Sequence, residues 1–498
     1  MVYRKSGLAA TLAVVLPAMA AAAPLGVTDV RDDARERLQL ADWSEAISVR
    51  ADLGNGRLLV ELDDATRAAL AAAGASFRTV EAIEDPRPLY RVSGAGVVEL
   101  AMIPRLGDVI WADDEQVLLR TTEPDIWALS GRGVRLQRIA SHAMLPPTGV
   151  VGSAVAPDYA EVDDLVSRVS GTSIATYVDE LVAFPTRHSN QQGGLDAQAY
   201  LKAKFESFGY TQVAELAVGG IPQKNVCATL PGAVTPEKIF VVGGHYDSTA
   251  TQITNAPGAD DNASGTAGTL ELAKAMFGMT FESTLVFCGY AGEELGLLGS
   301  AAHADALTAA GADVAGMINL DMIGHLEDGD AVDIDVASNG GSATMRTLFT
   351  DVVTRYVPAS QQVNGALPAG ASSDHASFWQ NGFPALMLFE DTGNYSPFIH
   401  TANDVPGTSF NSPDLAERIT RSAAAMLAVM AVPSAATGEP TPTPTPGTDP
   451  ADENPSDSME TIHGSCMCSL ESIGTTTPSV FPALLAAAAL ALSMRRRR

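Results

Sequence analysis

Five residues with metal-binding side chains follow apolar stretches in the second half of this chain: His245, Asp261, Glu294, Asp321 and His400. Two imidazoles and three carboxylates form a mixed nitrogen and oxygen donor set, which zinc accepts. For two ions to share five residues, one carboxylate has to bridge. Glu293 stands beside a ligand, is left out of that set, and can serve as a general base. The chemistry these residue types and their order point to is that of an enzyme with two zinc ions.

The surrounding sequence has to bring these residues together. His245 follows Phe240-Val241-Val242, Glu294 follows Leu285-Val286-Phe287, Asp321 follows Met317-Ile318-Asn319-Leu320, and His400 lies beyond Ala385 to Phe389. The runs Lys238 to Gly243, Ser283 to Cys288, Val314 to Leu320 and Ala385 to Phe389 read as buried strands. Ala263 to Phe277 reads as a helix. A last helix opens at Ser412-Pro413-Asp414, with Ser412 as cap, and runs to about Met430. Continuous apolar strands separated by helices predict an α/β fold: a mixed, largely parallel sheet flanked by helices. In such sheets side chains distant in sequence converge at the carboxyl ends of the strands.

Composition narrows the field. The chain has 498 residues, 46% of them hydrophobic, and 59 acidic against 31 basic residues for a net charge of −28. That length calls for more than one domain, and that charge argues against a nucleic-acid partner. Residues 1–23 read as a signal peptide, with Arg4 and Lys5 before an apolar run and small residues around Ala18-Met19-Ala20. Residues 24–155 read as a smaller α+β unit, a propeptide or a permanent accessory domain. Its strands are expected at 58–62, 97–100 and 116–119, and a helix at Asp64 to Ala73. Residues 156–432 read as the catalytic unit, with alternating strands and helices.

A Pro/Thr-rich linker follows over 433–460. Residues 461–498 hold Cys466-Met467-Cys468, an apolar stretch over 478–494 and Arg495 to Arg498, which would keep the terminus cytoplasmic if the stretch spans a bilayer. This tail resembles the MYXO-CTERM type of bacterial sorting signal, which implies processing near the cysteines and surface attachment. Of the 4 cysteines, Cys227 and Cys288 lie in strand-like surroundings and read as free buried thiols, a disulfide between them being unreadable from sequence.

The catalytic segment resembles the bacterial leucyl aminopeptidase family of secreted two-zinc exopeptidases, over roughly residues 160 to 432. The motifs are Gly244-His245-Tyr246-Asp247-Ser248, Gly258-Ala259-Asp260-Asp261-Asn262-Ala263-Ser264-Gly265, Ala291-Gly292-Glu293-Glu294-Leu295-Gly296, Asn319-Leu320-Asp321-Met322 and Ile399-His400-Thr401. The resemblance implies that Asp261 bridges two Zn2+ ions, with His245 and Asp321 completing one site and Glu294 and His400 the other. It implies that Asp247 orients His245 and that Glu293 moves a proton from the attacking water to the leaving amine. By family position Met322, Met387, Phe389, Tyr395 and Ile399 line a substrate pocket. One departure is Gly370, which stands where a Tyr that stabilises the transition state can occur; a Cys pair is missing there too.

The expectation is an exported zinc aminopeptidase that acts on peptides with a free N-terminus, hydrophobic residues first, at the cell surface or secreted after tail processing. Its partners would be peptide substrates, the C-terminal sorting machinery and, before processing, the membrane. Rival readings are carboxypeptidase action or glutaminyl cyclisation on the same scaffold, or a non-catalytic surface-binding module.

Overall fold

The computed structural model describes residues 23–30, 47–81, 85–94, 103, 105–130, 134–147, 156–365, 367 and 372–433. The signal-peptide segment up to residue 22, the strand expected at 97–100, Gly370, the linker from residue 434 and the whole tail lie outside them.

The N-terminal part repeats one strand order in two small sheets. Its first sheet consists of β1 (Leu25–Asp29), β2 (Ser48–Gly54), β3 (Arg57–Glu61) and β4 (Ser76–Glu81) in the order β2-β3-β1-β4. Its second consists of β5 (Leu89–Ser93), β6 (Gly107–Ala112), β7 (Gln116–Thr121) and β8 (Arg135–Ile139) in the matching order β6-β7-β5-β8. Both are antiparallel throughout. A helix joins the third strand to the fourth in each half: α1 (Asp64–Ala73) and the short α2 (Glu123–Ile126). The expected limits of α1 hold because Asp63 caps it, accepting from the Thr66 amide, and Gly74 ends it in the left-handed conformation.

The larger part, from residue 156, is built on an eight-stranded mixed sheet. It contains β9 (Val213–Ala217), β10 (Lys224–Leu230), β11 (Thr235–His245), β12 (Ser283–Tyr290), β13 (Asp313–Leu320), β14 (Asp333–Ala337), β15 (Gln361–Asn364) and β16 (Ala385–Phe389), ordered β15-β14-β16-β13-β11-β12-β10-β9. The central strands β12, β11, β13 and β16 are parallel neighbours. Their apolar runs bury side chains on both faces. Phe240, Val242, Phe287 and Ile318 pack under α3 (Ala160–Arg168), α4 (Gly171–Val182), α5 (Gln192–Ser207), α6 (Gly265–Met276), α8 (Ala343–Tyr356) and α10 (Pro413–Ala431). Val241, Val286 and Met317 pack on the other face against α7 (Leu298–Ala310) and α9 (His375–Gln380). The fold class is therefore the expected one, preceded by two small sheets.

Two local readings change. The predicted helix from Ala263 begins later: Ala259–Ser264 is an irregular turn containing a cis Asp261–Asn262 peptide, and regular helix starts at Gly265. A Cβ on Gly265 would lie 2.1 Å from the Leu320 carbonyl oxygen, so only glycine lets the α6 terminus approach the end of β13 this closely. Cys227 and Cys288 are not free thiols; they form a disulfide. They face each other directly in the antiparallel β10–β12 register, a pairing set by the sheet and invisible in spacing. No helix among the described residues is long and apolar enough to cross a membrane; the apolar run 478–494 is not among them.

Candidate metal centre

Parallel strands that end at one level deliver the predicted residues to one crevice. His245 is the last residue of β11, Asp321 follows β13, and Glu293 and Glu294 follow β12 within four residues. Asp261 enters from the turn before α6, and His400 from the loop after β16. Asp261 is the common member. Its Oδ1 lies 3.3 Å from His245 Nε2 and its Oδ2 lies 3.1 Å from His400 Nε2. Asp321 Oδ1 is 3.5 Å from His245 Nε2, and Glu294 Oε2 is 3.1 Å from His400 Nε2.

These separations suit a metal. Donors on a tetrahedral zinc with bonds of about 2.1 Å stand roughly 3.4 Å apart. The residues fall into two groups, His245, Asp261, Asp321 and Asp261, Glu294, His400. Glu294 Oε1 and Asp321 Oδ1 are buried without a hydrogen-bond partner, a costly state that a cation would relieve. The donor set thus fits zinc on this geometry.

Glu293 belongs to neither group, its Oε2 lying 3.9 Å from His245 Nε2. Burial pushes the Glu293 carboxyl well up; the His245 charge opposes this, and Glu294, Asp374 and Asp321 add repulsion. Burial likewise raises the Glu294 carboxyl to about 7, with His400 opposing. Asp247 is fully buried and holds the loop from below. Its carboxylate accepts from the Glu293 and Glu294 amides at 3.1 and 3.3 Å, and lies 3.6 Å from His245 Nδ1. His245 Nδ1 is also 3.1 Å from the Asp247 carbonyl oxygen. Both contacts favour presenting Nε2 to an ion.

Met322, Met387, Phe389, Tyr395 and Ile399 border a cavity of about 110 Å³ together with all five donor residues and Glu293. Met322 and His400 hold left-handed backbone at φ 50° and 58°, strain of the kind that collects at functional sites.

Several residues of the site escaped the sequence reading. Ser373 donates a 2.5 Å hydrogen bond to Asp321 Oδ2 and accepts from Asn319 Nδ2 at 2.8 Å. Asp374 is buried with both carboxylate oxygens unpartnered. Arg187, wholly buried, donates to the carbonyls of Tyr246, Pro257 and Gly258 and ties the Asp261 turn to the end of β11. Val134, Arg135, Leu136 and Gln137, from the N-terminal part, complete the cavity wall. The Ser372-Ser373-Asp374-His375 string was the one available signal for the first two. Nothing in the sequence marked the others.

Comparison with known proteins places these features in a family. Residues 225–427 match Peptidase family M28. A probable leucine aminopeptidase of Trichophyton verrucosum is 31% identical over 261 residues, covering 49% of this chain and 68% of that protein. Leucine aminopeptidase 1 of Trichophyton equinum is 30% identical over 315 residues, covering 57% of this chain and 82% of that protein. The structure of the LapA aminopeptidase of Legionella pneumophila superposes with a TM-score of 0.58 at 19% identity, covering 69% of this chain and 98% of that one, a likeness of fold. With relatives at this identity matched over more than two thirds of their length, the chain belongs to peptidase family M28.

Proposed function

We propose that this protein is a zinc aminopeptidase that holds two Zn2+ ions and removes N-terminal residues, hydrophobic ones first, from peptides. The observation that carries this is the Asp261 carboxylate, whose two oxygens face different histidines, each histidine having a further carboxylate within 3.5 Å. When bound, zinc supplies Lewis acidity, lowering the pKa of a water and polarising the scissile carbonyl. Glu293 accepts the proton from the attacking water and delivers it to the leaving nitrogen as the C–N bond breaks. Asp247 keeps Glu293 and Glu294 in place through their amides. Met322, Met387, Phe389, Tyr395 and Ile399 offer an apolar seat for the N-terminal side chain. The free α-amine is held by the carboxylate-rich wall.

The N-terminal apolar run and the tail support an exported enzyme, held at the cell envelope until the tail is processed. Assay of the purified protein on a panel of aminoacyl amides, with chelator and with zinc restored, tests the activity. Fractionation of the native protein tests the address. Hydrolysis of leucyl and phenylalanyl amides that chelator abolishes and zinc restores is the expected result; chelator-resistant or absent hydrolysis contradicts the reading.

A further inference from the structure

The second N-terminal sheet forms part of the wall of the catalytic cavity. Residues 134–137 line it consecutively. Alternate residues of a strand face opposite ways, so Arg135, Leu136 and Gln137 in a row mean that the edge of β8 meets the crevice. β8 is an edge strand of its sheet, and the Arg138 amide donates to the Gly296 carbonyl, just beyond Glu293 and Glu294, at 3.4 Å. Ser130 Oγ and Thr249 Oγ1, 2.9 Å apart, add a second tie.

This edge brings a cation to a site otherwise rich in carboxylates. Arg135 is half-buried on the cavity wall, and no carboxylate among the described residues pairs with it. Register places Gln137 opposite Arg91 and Arg135 opposite Ser93, so Arg135, Gln137 and Arg91 share one face of the sheet. Gln137, Leu297, Leu367 and Ser372 also border a second cavity of about 840 Å³ between the two parts of the chain. Its wall carries five arginines against Asp52, Asp85 and Asp305. Four of the five already hold a carboxylate: Arg50 holds Glu61, Arg87 holds Asp85 and Asp108, Arg120 holds Glu81 and Arg138 holds Glu123. Arg91 instead donates to the Asp52 and Leu53 carbonyls, and its Nε is buried without a partner. With those four arginines neutralised, Arg135 is, among the described residues, the cation left to meet an anion at the wall of the metal-site cavity.

We propose that this face is a carboxylate subsite, with Arg135 its first contact, and that the enzyme prefers short peptides bearing a carboxylate on the C-terminal side of the scissile bond. The inference rests on the aminopeptidase reading and makes the N-terminal unit a permanent part of the enzyme. The carboxylate is the C-terminus of a dipeptide or an acidic side chain in the second position; the chemistry is shared. The chamber ahead, of about 840 Å³, has room for a few residues beyond the scissile bond.

The test uses the zinc-loaded full chain, checked by mass to retain residues 134–137. The substrates are Leu-Gly, Leu-Gly amide and Leu-Asp amide. Wild type should show kcat/KM about tenfold higher for a carboxylate-bearing substrate than for Leu-Gly amide, carried mainly by KM, the scale of one charge-assisted hydrogen bond. Leu-Gly alone favoured identifies the C-terminus as the ligand; Leu-Asp amide favoured identifies the side chain. Arg135→Ala should bring the ratio close to one, and Arg135→Lys should recover part of it. A purely structural role for Arg135 would lower all three substrates alike and would overturn the proposal, as would a wild-type ratio of one. Full chain inert on all three substrates, with activity appearing once it is cut between residues 148 and 155, would overturn it too, by showing β8 to be a plug. Zinc-loaded protein inert both intact and cut would reject the aminopeptidase reading itself.

Discussion

Asp404 holds Asp261 in place through the backbone: its carboxylate accepts from the Asp261 amide at 3.1 Å and from the Asp260 amide at 2.8 Å. Asp404 is almost wholly buried and contributes no donor to either metal group. The carboxylate that turns one oxygen to each histidine is thus aimed from behind by a second carboxylate. Asp404→Ala should weaken zinc binding by roughly ten- to a hundredfold, the usual cost of losing an outer partner of a metal ligand. Competition titration with a chromophoric chelator measures it. Unchanged affinity would mean that the turn holds its shape without Asp404.

Glu293→Gln keeps the size of the side chain and its seat above Asp247 but removes the base. We expect kcat to fall by about a hundredfold or more while zinc content stays the same. Single-turnover kinetics with parallel metal analysis separate the two. Near-normal turnover would assign the proton transfer to another group.

The segment joining the two parts of the chain carries a pH-dependent tie. His142 Nε2 lies 3.4 Å from Asp305 Oδ1 on α7. The hydrogen bond to Asp305 raises the His142 pKa above its ordinary value of about 6.5. A histidine whose folded-state pKa is raised stabilises the fold fully below its unfolded pKa, and that contribution is lost as pH rises through the folded value. Wild type should therefore melt above His142→Ala at pH ~5.5, and the gap should close by pH ~8.5. His142 is one-third exposed, so solvent screening keeps the effect small. A gap that is constant across this range would remove the ion pair from the account.

What the sequence made legible follows from where burial is continuous. Phe240-Val241-Val242 and Leu285-Val286-Phe287 are buried on both faces of a parallel sheet, so they read as unbroken apolar runs. His245 and Glu294 follow those runs, which placed them at one end of the sheet. Other features depend on tertiary contact and leave no periodic trace. Cys227 meets Cys288 only because β10 runs beside β12. Asp404 reaches Asp261 from 143 residues away. Arg135 lies in a unit without any cluster of chemical residues, and its place on the cavity wall comes from docking between the two parts. The repeated strand order, β2-β3-β1-β4 and β6-β7-β5-β8, has no counterpart in residue spacing.

Metal content decides whether Asp261 serves two ions at once. Inductively coupled plasma mass spectrometry of fully active wild type and of Asp261→Ala, each dialysed against zinc-buffered solution, gives zinc per chain. Two zinc ions per chain are expected in wild type, and the loss of both in the variant. A single zinc in fully active wild type, or a variant that keeps one site at full occupancy, would contradict this.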